Sequence, residues 1–289
     1  MFNWYNFLEA NPLFRQLKVD DLLFAAYDCP LEGTPIDYWV QKSYFCYIIK
    51  GGARWKTPKN DYTFKVGDGA FLTRGAHRVY KIGNGEFCAL IIFLPDEFIT
   101  TVMKKEKPSI PKLSSEKTES DAVIPLNIDE TLTYYFGSLL TYLNQPKTPS
   151  KSLLKLKFKE LLLNIVTGHH NPKVAEYFLE VSNTGKRDIK IVMEEHFIFN
   201  LKMEEFADMS GRSLATFKRD FFKIFETTPG KWLKEKRLEH SKYLLDTSEL
   251  NINEISLNCG FENTSHFIKI FRQTYGQTPL AYRKTLKPI

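Results

Sequence analysis

Two short stretches of this 289-residue chain set polar and cationic side chains at the spacing that a helix presents on one face. In the first, Ala215, Thr216, Lys218, Arg219 and Phe222 stand away from Phe217, Phe221 and Ile224, which recur at i, i+4 and i+7. In the second, Thr264, Ser265, His266, Ile268, Lys269 and Arg272 stand away from Phe267, Ile270 and Phe271. Such faces can read the edges of base pairs. Lys and Arg reach guanine O6 and N7, Ser and Thr donate or accept, and Ala or Ile fits against a thymine methyl. Ser213 and Asn263, just ahead of the stripes, are the residue types that cap a helix N-terminus. A single stripe of this kind is better explained as an ordinary solvated helix face. Repetition tips the balance.

Shifted by 50 positions, Phe217, Phe221, Phe225, Thr228, Pro229 and Trp232 fall on Phe267, Phe271, Tyr275, Thr278, Pro279 and Tyr282. Upstream, with one residue inserted, Glu205-Phe206-Ala207 and Gly211 fall on Glu254-Ile255-Ser256 and Gly260. Each copy reads as a helix, a glycine turn, a second helix and a Thr-Pro stop, which is a helix-turn-helix. Between them Pro229 to Leu245 reads as one helix, a strut of roughly 24 Å at about 1.5 Å per residue. With the thickness of the two units, that strut suits recognition helices set about one DNA turn, ~34 Å, apart. Ala215 and Phe222 offer few hydrogen bonds, so the first helix is expected to read fewer bases and to lean on phosphates.

Residues 187–289 resemble the DNA-binding domain of AraC/XylS-type transcription regulators. The match is carried by Met203-Glu204-Glu205-Phe206-Ala207, Ser210-Gly211-Arg212-Ser213, Phe217-Lys218-Arg219, Phe221, Thr228-Pro229, Ile255, Cys259-Gly260-Phe261, His266-Phe267, Lys269, Phe271, Thr278-Pro279 and Tyr282-Arg283. Val66-Gly67-Asp68, Phe71-Leu72, Gly75 and His77 resemble the later half of a cupin-like barrel, the usual sensory domain of that family. The resemblance implies seven C-terminal helices in two subdomains joined by a long helix, with promoter DNA and RNA polymerase as partners. It also implies an N-terminal domain that answers to a small-molecule effector. Trp39, Tyr47, Trp55, Phe71, His77 and Tyr80 are the candidates to line a ligand site, although aromatic residues are core more often than pocket. A regulatory protein docking on this domain is the alternative.

The N-terminal sequence fits a strand-rich domain. Residues 1 to about 94 alternate in the strand manner, with turns at Gly51-Gly52, Val66-Gly67-Asp68-Gly69 and Asn84-Gly85. Pro108 to Pro125 reads as an exposed excursion rich in Ser, Lys and Glu. Residues 128–144 and 152–167 then read as two helices, the second with an apolar stripe of Leu154, Phe158, Leu161, Leu162 and Ile165 that would serve either a homodimer contact or the domain's own sheet. The expected class is α+β: a cupin-like β-barrel with two following helices over residues 1–168, a linker over 169–186, and an all-α domain over 187–289 with two helix-turn-helix units joined by a long helix.

Composition narrows the alternatives. Residues 187–289 hold 17 basic and 14 acidic side chains and residues 1–186 hold 23 and 20, so the +6 net charge is shared evenly and says little by itself about nucleic acid. Cys29, Cys46, Cys88 and Cys259 lie far apart, without a C-x-x-C, and are expected as small buried hydrophobes. His77 alone before residue 169 gives no imidazole cluster for a metal, and phosphate-loop, dinucleotide and nucleophile-elbow motifs are missing. No cofactor, metal or catalytic residue is expected. A cupin-type enzyme is the remote alternative, which metal analysis would expose. The opening Met1-Phe2-Asn3-Trp4 lacks a basic n-region and the apolar runs are short, so a cytoplasmic protein is expected.

Overall fold

The run Cys88 to Leu94 is apolar at every position, which a strand tolerates only when both of its faces are covered. In the computed structural model that strand lies in the middle of a sheet. Residues 1–28, 35–83, 85–108 and 121–286 are described. Cys29, Asn84 and most of the expected excursion therefore lie outside the described residues. The chain divides into two units, Met1–Arg187 and Asp188–Ile289.

The first unit contains strands β1 (Phe2–Asn3), β2 (Arg15–Val19), β3 (Leu22–Asp28), β4 (Ile36–Val40), β5 (Ser43–Lys50), β6 (Gly52–Lys56), β7 (Asp61–Lys65), β8 (Gly69–Leu72), β9 (Gly75–Lys81), β10 (Cys88–Leu94) and β11 (Val123–Leu126). Its helices are α1 (Trp4–Ala10), α2 (Asp96–Glu106), α3 (Glu130–Asn144), α4 (Lys151–Thr167) and α5 (Pro172–Thr184). The strands form two sheets, ordered β1-β4-β9-β6-β7 and β11-β8-β5-β10-β3-β2. A closed barrel was expected; both sheets instead keep free edges, because their outermost strands pair on one side only.

The two faces of the second sheet belong to different cores. Leu23, Ala25, Tyr44, Cys46, Ala89, Ile91 and Phe93 meet Tyr38, Val40, Ala53, Trp55 and Phe64 of the first sheet. Their neighbours Phe24, Ala26, Phe45, Phe71, Leu90, Ile92 and Leu94 meet the helices, as the period of two requires. Phe158 of α4 stacks on Phe24 at 3.7 Å and Phe136 of α3 on Tyr47 at 4.3 Å. Leu154, Phe158, Leu161, Leu162 and Ile165 are all at most 1% exposed. The stripe is thus core. It cannot serve as a homodimer contact without opening the unit, since burying each such side chain is worth about 1.5–3 kcal/mol.

Residues 169–186, expected as a linker, are mostly helix α5. Pro172 sits in its first turn and Gly185 closes it with φ +60°, the residues favoured at those two ends. Val174, Ala175, Tyr177, Phe178 and Val181 are buried in the helix-face core, and the Tyr177 hydroxyl lies 2.7 Å from Ser43 Oγ. Asn171 ties the turn before α5 to residue 127, accepting from its N–H at 2.8 Å and donating to its carbonyl at 3.1 Å.

The second unit is all helix over its described residues: α6 (Ile189–His196), α7 (Met203–Met209), α8 (Leu214–Phe225), α9 (Pro229–Thr247), α10 (Ile252–Asn258), α11 (Thr264–Tyr275) and α12 (Pro279–Leu286).

Candidate nucleic-acid interface

The repeat in sequence is a repeat in hydrogen bonding. After α7, Ser210 N–H donates to Phe206 O, Gly211 N–H to Asp208 O and Arg212 N–H to Ala207 O, at 3.1, 2.9 and 3.0 Å. After α10, Cys259 N–H donates to Ile255 O, Gly260 N–H to Leu257 O and Phe261 N–H to Ser256 O, at 3.0, 3.1 and 3.1 Å. Gly211 and Gly260 both take positive φ, +68° and +77°. At Gly260 a Cβ would also stand 2.6 Å from the Ile198 carbonyl oxygen, so a side chain is refused twice over.

Each turn delivers the chain to a capped helix. Ser213 Oγ accepts from Thr216 N–H at 3.3 Å, whereas Asn263 Oδ1 accepts from Ser265 and His266 at 2.8 and 3.1 Å. Behind each helix runs an aromatic ladder. Phe221 lies 5.8 Å from Phe217 and 4.4 Å from Phe225, and Trp232 of α9 closes on Phe225 at 5.4 Å. Phe271 lies 5.7 Å from Phe267, 4.6 Å from Tyr275 and 5.9 Å from Tyr282 of α12. Phe217, Phe221, Phe267 and Phe271 are fully buried, so the opposite faces of α8 and α11 must turn outward.

On α8, Ala215, Lys218, Arg219 and Phe222 are exposed, while Thr216 is half-buried and its hydroxyl accepts from Ser213. On α11, Ser265, His266, Lys269 and Arg272 are exposed and Thr264 is half-buried. Ile268 was placed on the open face but is half-buried against the second core. Ile224, expected inward, is 41% exposed, because Phe225 takes the inward slot of the last turn and stacks on Phe221. Arg219 differs from Lys269 in having a carboxylate at hand: its guanidinium lies 3.3 Å from Asp220, which also meets Arg212 at 3.3 Å. Desolvation is the largest single influence on the Asp220 carboxyl and pushes it up, but the hydrogen bonds and charges of the two guanidiniums together outweigh it and hold the group below its ordinary range.

Of the four cations on the first half of α9, two have structural work. Lys236 pairs with Glu194 at 2.9 Å, and Arg237 donates to the Phe197 and Phe199 carbonyls, both at 2.7 Å. Lys231 and Lys234 are exposed. Lys234 lines a concave surface with Asn263, Ser265, His266 and Lys269, so the connecting helix adds a cation beside the second recognition helix. In the sequence Lys234 is one of several lysines along this helix, and only the packing separates it from Lys236.

The N-terminal candidates scatter. Trp55 faces the core between the sheets, but Phe71 and Tyr47 face the helices, Trp39 is half-buried, and Tyr80 lies half-buried with the Arg54 guanidinium 4.6 Å above its ring. His77 is 2% exposed, stacks on Tyr38 at 5.5 Å and places Nε2 2.7 Å from the Thr73 carbonyl oxygen.

Two capped helices, each set against a preceding helix across a glycine turn and each turning an open face of polar and cationic side chains outward, define a tandem helix-turn-helix protein, a sequence-specific DNA-binding regulator of transcription. Comparison with known proteins agrees. Residues 206–285 match a helix-turn-helix domain and residues 43–177 match the ExsA N-terminal regulatory domain. The virulence regulon transcriptional activator VirF of Yersinia enterocolitica is 26% identical over 239 residues, which is 82% of this chain and 88% of VirF. The transcriptional regulator ExsA of Pseudomonas aeruginosa is 29% identical over 129 residues, 45% of this chain and 46% of ExsA. A crystal structure of apo ToxT from Vibrio cholerae covers 92% of this chain and 98% of its own, at 15% identity and a TM-score of 0.44. Region by region, the chain is thus similar to AraC-type transcription regulators, in its helix-turn-helix domain and in an N-terminal regulatory domain of the ExsA type.

Proposed function

We propose that the protein activates transcription from promoters it reads with α8 and α11, under the control of its N-terminal unit. Ala215, Thr216, Lys218, Arg219, Thr264, Ser265, His266, Ile268, Lys269 and Arg272 supply the DNA contacts; Thr216 serves mainly to hold the Ser213 cap and Ile268 as a packing residue at the edge of the open face. The observation that carries the reading is the duplicated turn geometry, which offers two recognition helices of the same polarity in one chain. Such a pair calls for two half-sites in the same direction, about one turn or 10–10.5 base pairs apart. Inserting five base pairs between them rotates one half-site to the far side of the duplex, and footprinting should then show only one half occupied. Full protection of both halves after the insertion would overturn the tandem reading.

RNA polymerase is the partner for activation, and a small-molecule effector is the input. No catalytic role, metal or cofactor enters this reading, and the cytoplasm is its setting. No described helix is long and apolar enough to cross a membrane. A homodimer built through α3 and α4 must use their outward residues, such as Tyr134 and Leu156, 70% and 59% exposed, since the inner stripe is committed to the core. Tyr134→Glu with Leu156→Glu should then shift a sedimenting dimer to monomer while leaving each unit folded.

A further inference from the structure

The open face of α8 carries its two apolar residues in line. Ala215 and Phe222 stand seven positions apart, close to two helical turns, so they share one strip of the face about 10 Å long, with Lys218 and Arg219 on either side of it. Both are exposed, Phe222 at 57%. The interior has no call on that ring, because Phe217, Phe221, Phe225 and Trp232 already form the ladder behind the helix. Of the two cations beside the strip, Arg219 is drawn to Asp220 at 3.3 Å. In the second unit the same two positions hold Ser265 and Arg272, both exposed and both able to hydrogen-bond, while Ile268 is half-buried against the second core.

A side chain without donors or acceptors finds one partner of its own kind on the base edges of the major groove, the C5 methyl of thymine. Phosphates reward charge and hydrogen bonds, which neither Ala nor Phe supplies. A strip of about 10 Å spans about three base pairs at ~3.4 Å each. We propose that Ala215 and Phe222 are specificity-determining residues that read pyrimidine C5 methyls at two positions about three base pairs apart in the half-site of α8, whereas α11 reads its half-site through hydrogen bonds. The inference rests on the assignment of α8 as a DNA reader and names what it reads. It also makes the half-site of α8 sensitive to cytosine methylation, since 5-methylcytosine presents the same methyl as thymine.

The test uses the full chain and a duplex that it has selected from random-sequence DNA, with binding followed by gel-shift titration. Each thymine of that duplex is replaced singly by deoxyuridine, which removes the methyl and leaves every hydrogen-bonding group in place. Losses should gather in one half-site, at two positions, each about threefold to fivefold, the worth of one methyl taken out of contact. Their salt dependence should match that of the parent duplex, since a methyl carries no charge. Phe222→Ala should leave the melting temperature unchanged and remove the deoxyuridine effect at one position; Ala215→Ser should reduce it at the other. At either position 5-methylcytosine should bind more tightly than cytosine by a similar factor. Indifference to deoxyuridine throughout the duplex, or losses that persist in full in both variants, would overturn the methyl reading. Losses spread equally over both half-sites would overturn the contrast with α11. Each of these results leaves the tandem reading intact, because that reading fails only when both halves stay protected after the five-base-pair insertion.

Discussion

The two helix-turn-helix units share an interior and differ on the outside. Phe217, Phe221, Phe225 and Trp232 in one, and Phe267, Phe271, Tyr275 and Tyr282 in the other, build the same ladder behind α8 and α11. On the open side, Lys269 stands where the first unit has Arg219, and Arg272 where it has Phe222, which is 57% exposed. The Arg219 guanidinium lies beside Asp220. Packing restricts the interior to a few solutions, whereas the surface is free to diverge. The second helix, with its doubly accepting cap and the lysine of α9 beside it, should therefore be the stronger reader.

The largest effects should fall on what is shared. Phe221→Ala and Phe271→Ala should each cost about 3–5 kcal/mol, read as lost hydrogen-exchange protection of α8 and α11 in the full chain. A small loss in one unit and a large one in the other would break the equivalence of the interiors. On the open faces, Lys269→Ala should weaken binding to the cognate promoter by about 1–3 kcal/mol, and Arg219→Ala by less, because Asp220 already neutralises part of that guanidinium. Equal losses in a gel-shift titration would remove the proposed ranking. The caps should differ in the same direction. Asn263→Ala gives up two accepted bonds and Ser213→Ala one, so the former should lie nearer the upper end of the roughly 0.5–2 kcal/mol range, measured by urea unfolding. The smallest effect belongs to Phe222→Arg, which makes the first face like the second. It should steepen the salt dependence of binding by about 0.9 in logarithmic slope, for one added phosphate contact.

The parts legible in the sequence are those written locally. Helix period, the glycine turns and the Thr-Pro stops all act within a few residues, so α7 to α11 could be placed from spacing alone. Helix α5 obeys the same local code, with Pro172 and Gly185 at its ends. Those two residues also occur in linkers, and their meaning as start and stop depends on whether Val174, Phe178 and Val181 find a core. The open sheets escaped for a different reason: strand pairing is decided across long stretches of chain, and alternation shows only which residues share a face. In β5 both faces are buried, so Tyr44 and Cys46 toward one core could not be told from Phe45 and Tyr47 toward the other. That is why Tyr47 and Phe71, offered together with Trp55 as ligand residues, turn out to lie on the opposite side of the sheet from it.

Helix α5 ends at Gly185, and two residues later Arg187 is 2% exposed, its guanidinium 5.5 Å from the Tyr177 ring centre. The next residue, Asp188, already caps α6, accepting from Lys190 N–H at 2.7 Å. A buried anchor and a helix cap are thus separated by a single peptide bond. An insertion between residues 187 and 188 would therefore fall between a buried side chain and a helix cap, and natural insertions should gather in other loops.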